Sequence, residues 1–186
     1  MRLYFHTDRI GMLREGDVIG NRRYPKGNVA DVFGPMFDSE FYNHLQHLFN
    51  HGISYHGYHY LHTMLDEGNK TPFSQWTMEM YFEFVRFKHF SDKPSRFTSF
   101  FCWGSFDDAQ DFAKSAGQPY AIFEVENEGR CFIADMNSLK LDFDYPKQEE
   151  NALNYWRGKP MSGDLRYKPK WEYIIDTPVR IVRRVI

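Results

Sequence analysis

The stretch RFTSFFCWGSFDDAQDFA, residues 96–113, changes its pattern midway in a way that indicates the fold class. Up to Trp103 it is a nearly continuous run of aromatic and other apolar residues, which is typical of a buried strand. Ser105 then takes the position of a helix N-cap, Asp108 follows at the capping-box position, and Gly117 marks the end of the helix. We therefore predict a buried strand that leads directly into a short helix.

Further strands are predicted on both sides of this unit. RLYFH near the N-terminus forms a short strand, and YAIFEVENEGRCFIAD, residues 120–135, forms a hairpin around its Asn-Glu-Gly turn. WEYIID and VRIVRRVI, residues 171–176 and 179–186, are two closing strands. The segment 138–170 is rich in loop-forming residues, with a short helix predicted at residues 152–156.

Two more helices are predicted before the central strand. One begins at Ser39 and ends at Gly52, and the other begins at Thr71-Pro72. The apolar stripe of the second helix contains Phe73, Trp76, Met80, Phe84 and Phe87. Strands at both ends and in the middle, with helices between residues 39 and 116, predict an α+β fold. Because no linker or repeat interrupts the pattern, we predict a single domain spanning residues 1–186.

The net charge of the chain excludes few classes of binding partner. With 23 basic and 25 acidic residues the net charge is −2, so the chain lacks the overall positive field of a dedicated duplex binder. Local basic clusters remain, such as the one formed by Arg22, Arg23 and Lys26. Such clusters are compatible with a phosphate-rich ligand.

The apolar and cysteine patterns indicate the cellular environment. Cys102 and Cys131 both lie in strand-like apolar runs, which favours reduced core thiols over a disulfide scaffold. The N-terminus has no signal-peptide pattern, and no segment approaches the roughly 18 apolar residues of a membrane span. We therefore expect a cytoplasmic protein without a membrane partner.

The segment NHLQHLFNHGISYHGYHYLH, residues 43–62, is a candidate metal site. It holds six of the eight histidines, namely His44, His47, His51, His56, His59 and His62. His47 and His51 have zinc-ligand spacing, but HLFNH lacks the glutamate of the metalloprotease motif. We therefore expect no metal here, and we predict an amphipathic helix followed by a loop that lines a cleft.

One polar residue interrupts the apolar stripe of the second helix. Glu83 falls in the middle of it, with Glu79 and Arg86 nearby at spacings of four and three residues. A buried carboxylate is costly unless it is paired. Either Glu83 forms a core ion pair with Arg86 or Arg96, or these charges face a ligand cleft.

The common nucleotide and hydrolase motifs are absent from the sequence. No GxGxxG follows a strand, no GxxxxGK[ST] occurs, and no nucleophile elbow is present. These absences exclude the usual Rossmann, P-loop and Ser-His-Asp sites.

Three segments together resemble the ADP-ribosyltransferase superfamily, in particular its His–aromatic–Glu branch, which includes the poly-ADP-ribose polymerases and diphtheria-type toxins. LYFHTDR, residues 3–9, is similar to the first strand of that branch and provides His6. FTSFFCWGSFDDAQDFA, residues 97–113, is similar to the strand with the motif aromatic, here Phe100 or Phe101. WEYIID is similar to the closing strand that begins with the catalytic glutamate, here Glu172. The chain departs from the branch in offering Phe where Tyr is usual.

The resemblance implies a split β-sandwich that uses NAD as a substrate. Glu172 is the implied catalytic carboxylate, because cleavage of nicotinamide from NAD develops positive charge on the ribose. His6 is implied to bond a ribose hydroxyl, and the Thr7 backbone the carboxamide. The remaining implied NAD contacts are Arg96 or Arg86 at the diphosphate, Phe112 against the nicotinamide, and Ser105 at the helix start.

The chain also resembles, more closely, an uncharacterised bacterial and phage family with transferase-like character. The shared segments are FEFVR, KPSRFTSFF, ADMN and YWRG, at residues 82–86, 93–101, 134–137 and 155–158. The resemblance includes a Ser-x-His-Gly-like segment, which implies ligand contacts for Ser54, His56 and Tyr60. By analogy of fold alone, it suggests a toxin of a toxin–antitoxin or phage-defence system, with an antitoxin as partner.

Several functions remain open at this stage. The first is mono-ADP-ribosyl transfer to RNA, DNA or protein, and the second is hydrolysis of NAD by the same fold. A third is a non-enzymatic binding module on a degenerate fold, for which the Phe at the motif aromatic argues. A fourth is a metal-dependent hydrolase that uses the histidine run.

Overall fold

The computed structural model describes residues 2–23, 38–61, 73–116, 120–142 and 144–186. These residues form seven strands and five α-helices. The strands are β1 (Arg2–Asp8), β2 (Val18–Ile19), β3 (Ser99–Trp103), β4 (Ala121–Asn127), β5 (Cys131–Asp135), β6 (Trp171–Asp176) and β7 (Val179–Arg184). The helices are α1 (Ser39–His51), α2 (Tyr55–Leu61), α3 (Phe73–His89), α4 (Phe106–Ala116) and α5 (Tyr145–Trp156). The predicted α+β class is confirmed.

The strands form one antiparallel sheet in the order β2-β7-β4-β1-β3-β6-β5. One half of the sheet contains β2, β7, β4 and β1, and the other contains β3, β6 and β5. Within the second half, β3 pairs with β6 from Ser99–Asp176 to Trp103–Glu172, and within the first half the pairing of β4 with β7 is interrupted by a bulge between Glu124 and Val125. Between the halves, β1 and β3 are in register only at Phe5 and Trp103 among the described residues. The two halves of the sheet are therefore joined at a single pair.

The first helix agrees with its prediction except at its cap. Phe41, Leu45 and Phe49 are buried, and Gly52 ends α1 at a φ of 113° with its N–H bonded to the Leu48 carbonyl. The N-cap is Asp38 rather than Ser39, because the Asp38 carboxylate accepts a hydrogen bond from the Phe41 N–H. Thr71, Pro72 and Gly117, predicted as helix boundaries, lie outside the described residues, as do Lys26 and His62.

The segment after Gly52 is a helix, so its prediction as a loop is wrong. The Ser54 hydroxyl accepts a hydrogen bond from the Gly57 N–H and starts the first turn of α2. Gly57 lies directly against the backbone of Phe97, where a side chain would collide with the carbonyl group. The small residue therefore lets α2 pack against the segment that leads into β3.

A fifth helix lies outside the predicted helical range of 39–116. It runs over Tyr145–Trp156 and is longer than the helix predicted at 152–156, because it begins with Asp144 at the N-cap and a proline in its first turn. Ala152, Tyr155 and Trp156 are fully buried against Phe82 and Val85 of α3 and Ile174 of β6. On α3, Trp76 and Met80 pack in a separate cluster with Phe41 and Leu45 of α1, so α3 contacts both α1 and α5.

Two further findings concern the cysteines and the apolar character of the helices. Both cysteines are free, with Cys102 buried and Cys131 half-buried. Among the described residues, no helix is both long and apolar enough to cross a membrane.

Candidate functional site

A cleft of about 680 Å³ opens beside β1 and β3, between the two halves of the sheet. Most of the predicted site residues line it, and so do Ser54 and Tyr60, for which ligand contacts were also predicted. The other predicted residues that line it are His6, Thr7, His56, Arg96, Phe100, Phe101, Phe112 and Glu172. These residues come from β1, α2, β3, α4, β6 and the segment before β3. The fold therefore brings together residues that are distant in the sequence, such as His6 and Glu172.

Glu172 is held through one of its two carboxylate oxygens. It is the second residue of β6, lies opposite Trp103 of β3 and is 5% exposed. Its Oε1 accepts hydrogen bonds from Arg96 Nη1 at 2.8 Å and from the Tyr155 hydroxyl at 2.6 Å. Among the described residues, the hydrogen bonds to this carboxylate all end at Oε1.

Arg96 is held in turn by Glu79 of α3. Its Nε and Nη2 donate to the two carboxylate oxygens of Glu79, each at 2.8 Å, and both side chains are buried. The guanidinium is thus bound to carboxylates and does not offer the diphosphate contact that the resemblance implies for Arg96. Burial raises the pKa of Glu79, but the guanidinium of Arg96 outweighs burial and holds this pKa well below its usual range. The same burial disfavours the charged guanidinium, and the carboxylates of Glu172 and Glu79 more than offset it, so the pKa of Arg96 rises.

The carboxylates of the buried cluster outnumber its arginine, and His56 beside Glu79 adds a positive charge only when it is protonated. The cluster contains the carboxylates of Glu79 and Glu172 and the single guanidinium of Arg96. The Tyr155 hydroxyl stays protonated, because burial raises its pKa well above the usual value. Carboxylates beside a cleft favour ligands that carry or develop positive charge.

His56 lies at the edge of this cluster. Its Nε2 is 3.2 Å from Glu79 Oε2, a distance that fits an ion pair, but the atom is buried and makes no hydrogen bond among the described residues. The ring contacts Phe101 at 4.6 Å and Tyr60 at 4.8 Å between centroids. The Nε2 atom of His56 therefore faces Glu79, while the residue itself lines the cleft.

Comparison with known proteins places the chain in a family without assigning its chemistry. Residues 4–186 match the family model described as a protein of unknown function, DUF2441. The chain belongs to this family. No curated protein matches the chain.

His6 is fixed in one tautomer by the strand beside it. Its Nδ1 lies 2.7 Å from the Phe101 carbonyl oxygen, which can only accept, so Nδ1 carries the proton. Burial lowers the pKa of His6, which keeps the imidazole neutral and leaves Nε2 as an acceptor. The His6 ring packs against Phe100 in a tilted arrangement, with 4.3 Å between centroids.

The two candidates for the motif aromatic have different neighbours. Phe100 contacts His6, whereas Phe101 contacts His56 and lies under the guanidinium of Arg96, 4.6 Å from the ring centroid to Cζ. Consecutive strand residues point to opposite faces of a sheet, which explains this division. Both rings line the cleft.

Thr7 and Phe112 fix α4 against the sheet. The Thr7 hydroxyl donates to the Ala109 carbonyl at 3.0 Å, and the Phe112 ring packs against Trp103 at 4.8 Å between centroids. The guanidinium of Arg9, which also lines the cleft, lies 5.1 Å above the Phe112 ring. Arg9 was not predicted, because nothing in its local pattern distinguishes it from a solvated surface arginine.

Ser105 and Arg86 are not among the residues that line the cleft. The Ser105 hydroxyl accepts from the Asp108 N–H at 3.1 Å and donates to the Asp108 carboxylate at 2.6 Å, so it caps α4. Arg86 donates to both oxygens of Glu83, at 3.0 and 2.8 Å, because the two lie three residues apart on α3. Of the alternatives left open for Glu83, the structure shows the core ion pair with Arg86.

The histidine run is divided among several surroundings. His44 Nε2 lies 2.9 Å from Glu83, and His47 stacks on His51 at 3.9 Å between centroids. His56 and His59 line the cleft. Within the described part of the chain, no group of three His, Cys, Asp or Glu residues is arranged to hold a metal ion.

Sequence reasoning missed the roles of Glu79 and Tyr155. Glu79 had a signal, since it lies one turn before Glu83 on a helix with a strong apolar stripe. No local signal indicated the role of Tyr155, because the helix that contains it was predicted to be a single turn. Both partners of Arg96 in these bonds are distant in sequence, 17 residues away at Glu79 and 59 at Tyr155.

Proposed function

We propose that the protein is an NAD-dependent mono-ADP-ribosyltransferase that modifies a macromolecule. The observation that carries the proposal is the position of Glu172, whose Oε1 is bound by Arg96 and Tyr155 at a cleft that His6 and Phe100 also line. The three residue types of the His–aromatic–Glu branch are thereby present in one cleft.

The sheet supports an ADP-ribosyltransferase-like split β-sandwich. β1, β3 and β6, which carry the three motif residues, are neighbours in the strand order. β1 and β3 meet at a single register pair, so the sheet behaves as two smaller sheets with the cleft between them. Helices pack on these sheets, as expected of the α+β class.

The size and charge of the cleft suit NAD. Its volume of about 680 Å³ lies within the range of sites for small molecules and cofactors. The carboxylates of Glu79 and Glu172 suit a pyridinium ring and the ribosyl cation that forms from it. Phe100 and Phe101 offer aromatic faces for stacking, which does not require the hydroxyl of the usual tyrosine.

The reaction would proceed by exchange at the ribose carbon C1′. The bond from C1′ to the nicotinamide nitrogen breaks, and its electron pair leaves with nicotinamide, which becomes neutral. The positive charge that develops on the ribose is stabilised by the Glu172 carboxylate, while His6 Nε2 accepts a hydrogen bond from a ribose hydroxyl. A nucleophile of the acceptor then bonds to C1′ and gives its proton to Glu172.

Nicotinamide release from NAD tests the proposal, with Glu172→Gln as control. NAD labelled in the adenylate is then incubated with RNA, DNA and cell protein, and label on one of them identifies the acceptor class. Release without transfer indicates that water is the acceptor, and NAD binding without release indicates a binding module. Growth arrest on expression, relieved by Glu172→Gln, would support a toxin role.

A further inference from the structure

The guanidinium of Arg96 is restrained on every side by groups from distant parts of the chain. Glu79 binds Nε and Nη2, and Glu172 binds Nη1. Nη1 also donates to the Tyr155 hydroxyl. The flat face of the guanidinium lies over Phe101, with 4.6 Å from Cζ to the ring centroid, and the Tyr155 ring is 5.5 Å away.

The two carboxylates that bind Arg96 differ in their role. Both oxygens of Glu79 point at Arg96, in the two-pronged geometry that fixes the plane of a guanidinium. Glu172 contacts Arg96 with Oε1 alone. Glu79 therefore fixes the arginine, and the arginine in turn fixes one oxygen of Glu172.

We propose that Glu79 and Tyr155 are positioning residues, which hold Oε1 of Glu172 through Arg96 and through the Tyr155 hydroxyl so that Oε2 is presented to the ligand. The inference deepens the proposed function and rests on it. It assigns to a glutamate on α3 and a tyrosine on α5 the task of orienting a carboxylate on β6. A misplacement of about 1 Å in such a group costs on the order of 100-fold in rate.

Glu83 provides a matched control for Glu79. It lies one turn further along α3, is equally buried, and is bound to its own arginine, Arg86, but it does not line the cleft. A loss of activity caused only by disturbance of a buried ion pair in α3 would appear in Glu83→Gln as strongly as in Glu79→Gln.

The first test measures kcat and KM for nicotinamide release in Glu79→Gln, Glu79→Asp, Tyr155→Phe and Glu83→Gln. We expect Glu79→Gln to lower kcat by about 100-fold with KM for NAD changed less than about threefold, and Glu79→Asp to restore part of the loss. Tyr155→Phe lowers kcat to a smaller extent, and Glu83→Gln leaves it unchanged. Equal losses in the Glu79 and Glu83 variants would overturn the proposal.

The second test does not depend on activity. A crystal structure of Glu79→Gln is compared with wild type, and we expect the Arg96 guanidinium to turn and its 2.8 Å contact with Glu172 to lengthen. An unchanged Arg96–Glu172 pair in that variant, or in Glu79→Ala if Glu79→Gln does not fold, would overturn the positioning role. Wild-type protein that releases no nicotinamide would instead refute the proposed function, with the structural comparison still deciding the positioning.

Discussion

Glu79 and Glu83 lie one turn apart on α3, and each is bound by a different buried arginine. Glu79 binds Arg96, which also binds Glu172 at the cleft. Glu83 binds Arg86 and also accepts from the Ser95 hydroxyl at 2.9 Å. The helix therefore carries two ion-pair networks, of which one reaches the cleft and the other stabilises the packing around it.

Removal of Glu83 should destabilise the fold without changing the cleft. In Glu83→Ala the buried guanidinium of Arg86 loses both of its bonds to a carboxylate, which costs about 3–5 kcal/mol in the free energy of unfolding. Denaturant unfolding measures the loss. Lys88→Ala, which removes a surface ion pair with Glu40, is the control and should cost much less. Similar losses in the two variants would contradict the assignment.

Gly57 should tolerate no side chain. In Gly57→Ala the new methyl group collides with the Phe97 carbonyl, so α2 must shift, and we expect a loss of about 2 kcal/mol or more in the free energy of unfolding. The shift also moves His56 at the cleft. Gly163→Ala is the matched control, since an added Cβ there has no neighbour within 4 Å. A stable Gly57→Ala variant would show that α2 is not packed as described.

The stability of the protein should fall as pH decreases below neutrality, in part through His6. Burial lowers the pKa of His6 from its ordinary value of 6.5. Below about pH 6.5 the unfolded chain takes up a proton at this residue and the folded chain does not, which lowers the free energy of unfolding by up to about 1.4 kcal/mol per pH unit. Urea unfolding between pH 8 and 5 should show a shallower decrease in His6→Asn. An equal decrease of stability with pH in wild type and in His6→Asn would contradict a folded state in which His6 is neutral.

Ser105 should matter for stability more than for ligand binding. Its hydroxyl accepts from the Asp108 N–H at the start of α4, so Ser105→Ala is expected to cost about 1 kcal/mol in the free energy of unfolding. Because Ser105 does not line the cleft, NAD affinity measured by calorimetry should stay within about twofold. A large loss of affinity at unchanged stability would restore the role that the family resemblance implies for this residue.

Local patterns were sufficient for much of the fold. The strand that ends at Trp103 and the helix capped by Ser105 follow from neighbouring residues, and so does the α+β class. The helix Tyr55–Leu61 was missed, because its close packing of Gly57 on Phe97 is a contact between distant segments. The helix Tyr145–Trp156 was underestimated, since its buried face is explained only by α3 and β6.

The site was predictable only in part for the same reason. His6, Phe100 and Glu172 could be proposed from local segments and their order along the chain. The bonds of Arg96 to Glu79 and Tyr155 could not, because the partners lie on different elements and the pairing depends on how α3 and α5 pack. From the sequence alone, either Arg96 or Arg86 could have been the partner of Glu83. The structure pairs Arg86 with Glu83 and Arg96 with Glu79.

The measurement that tests the central claim most directly is nicotinamide release from NAD by wild type and Glu172→Gln. The substitution keeps the size of the side chain that accepts bonds from Arg96 and Tyr155 but removes the carboxylate charge. We expect release by wild type and a rate at least about 1,000-fold lower in the variant, with NAD affinity retained. Equal release by the two proteins, or none by wild type that is folded and binds NAD, would contradict the account.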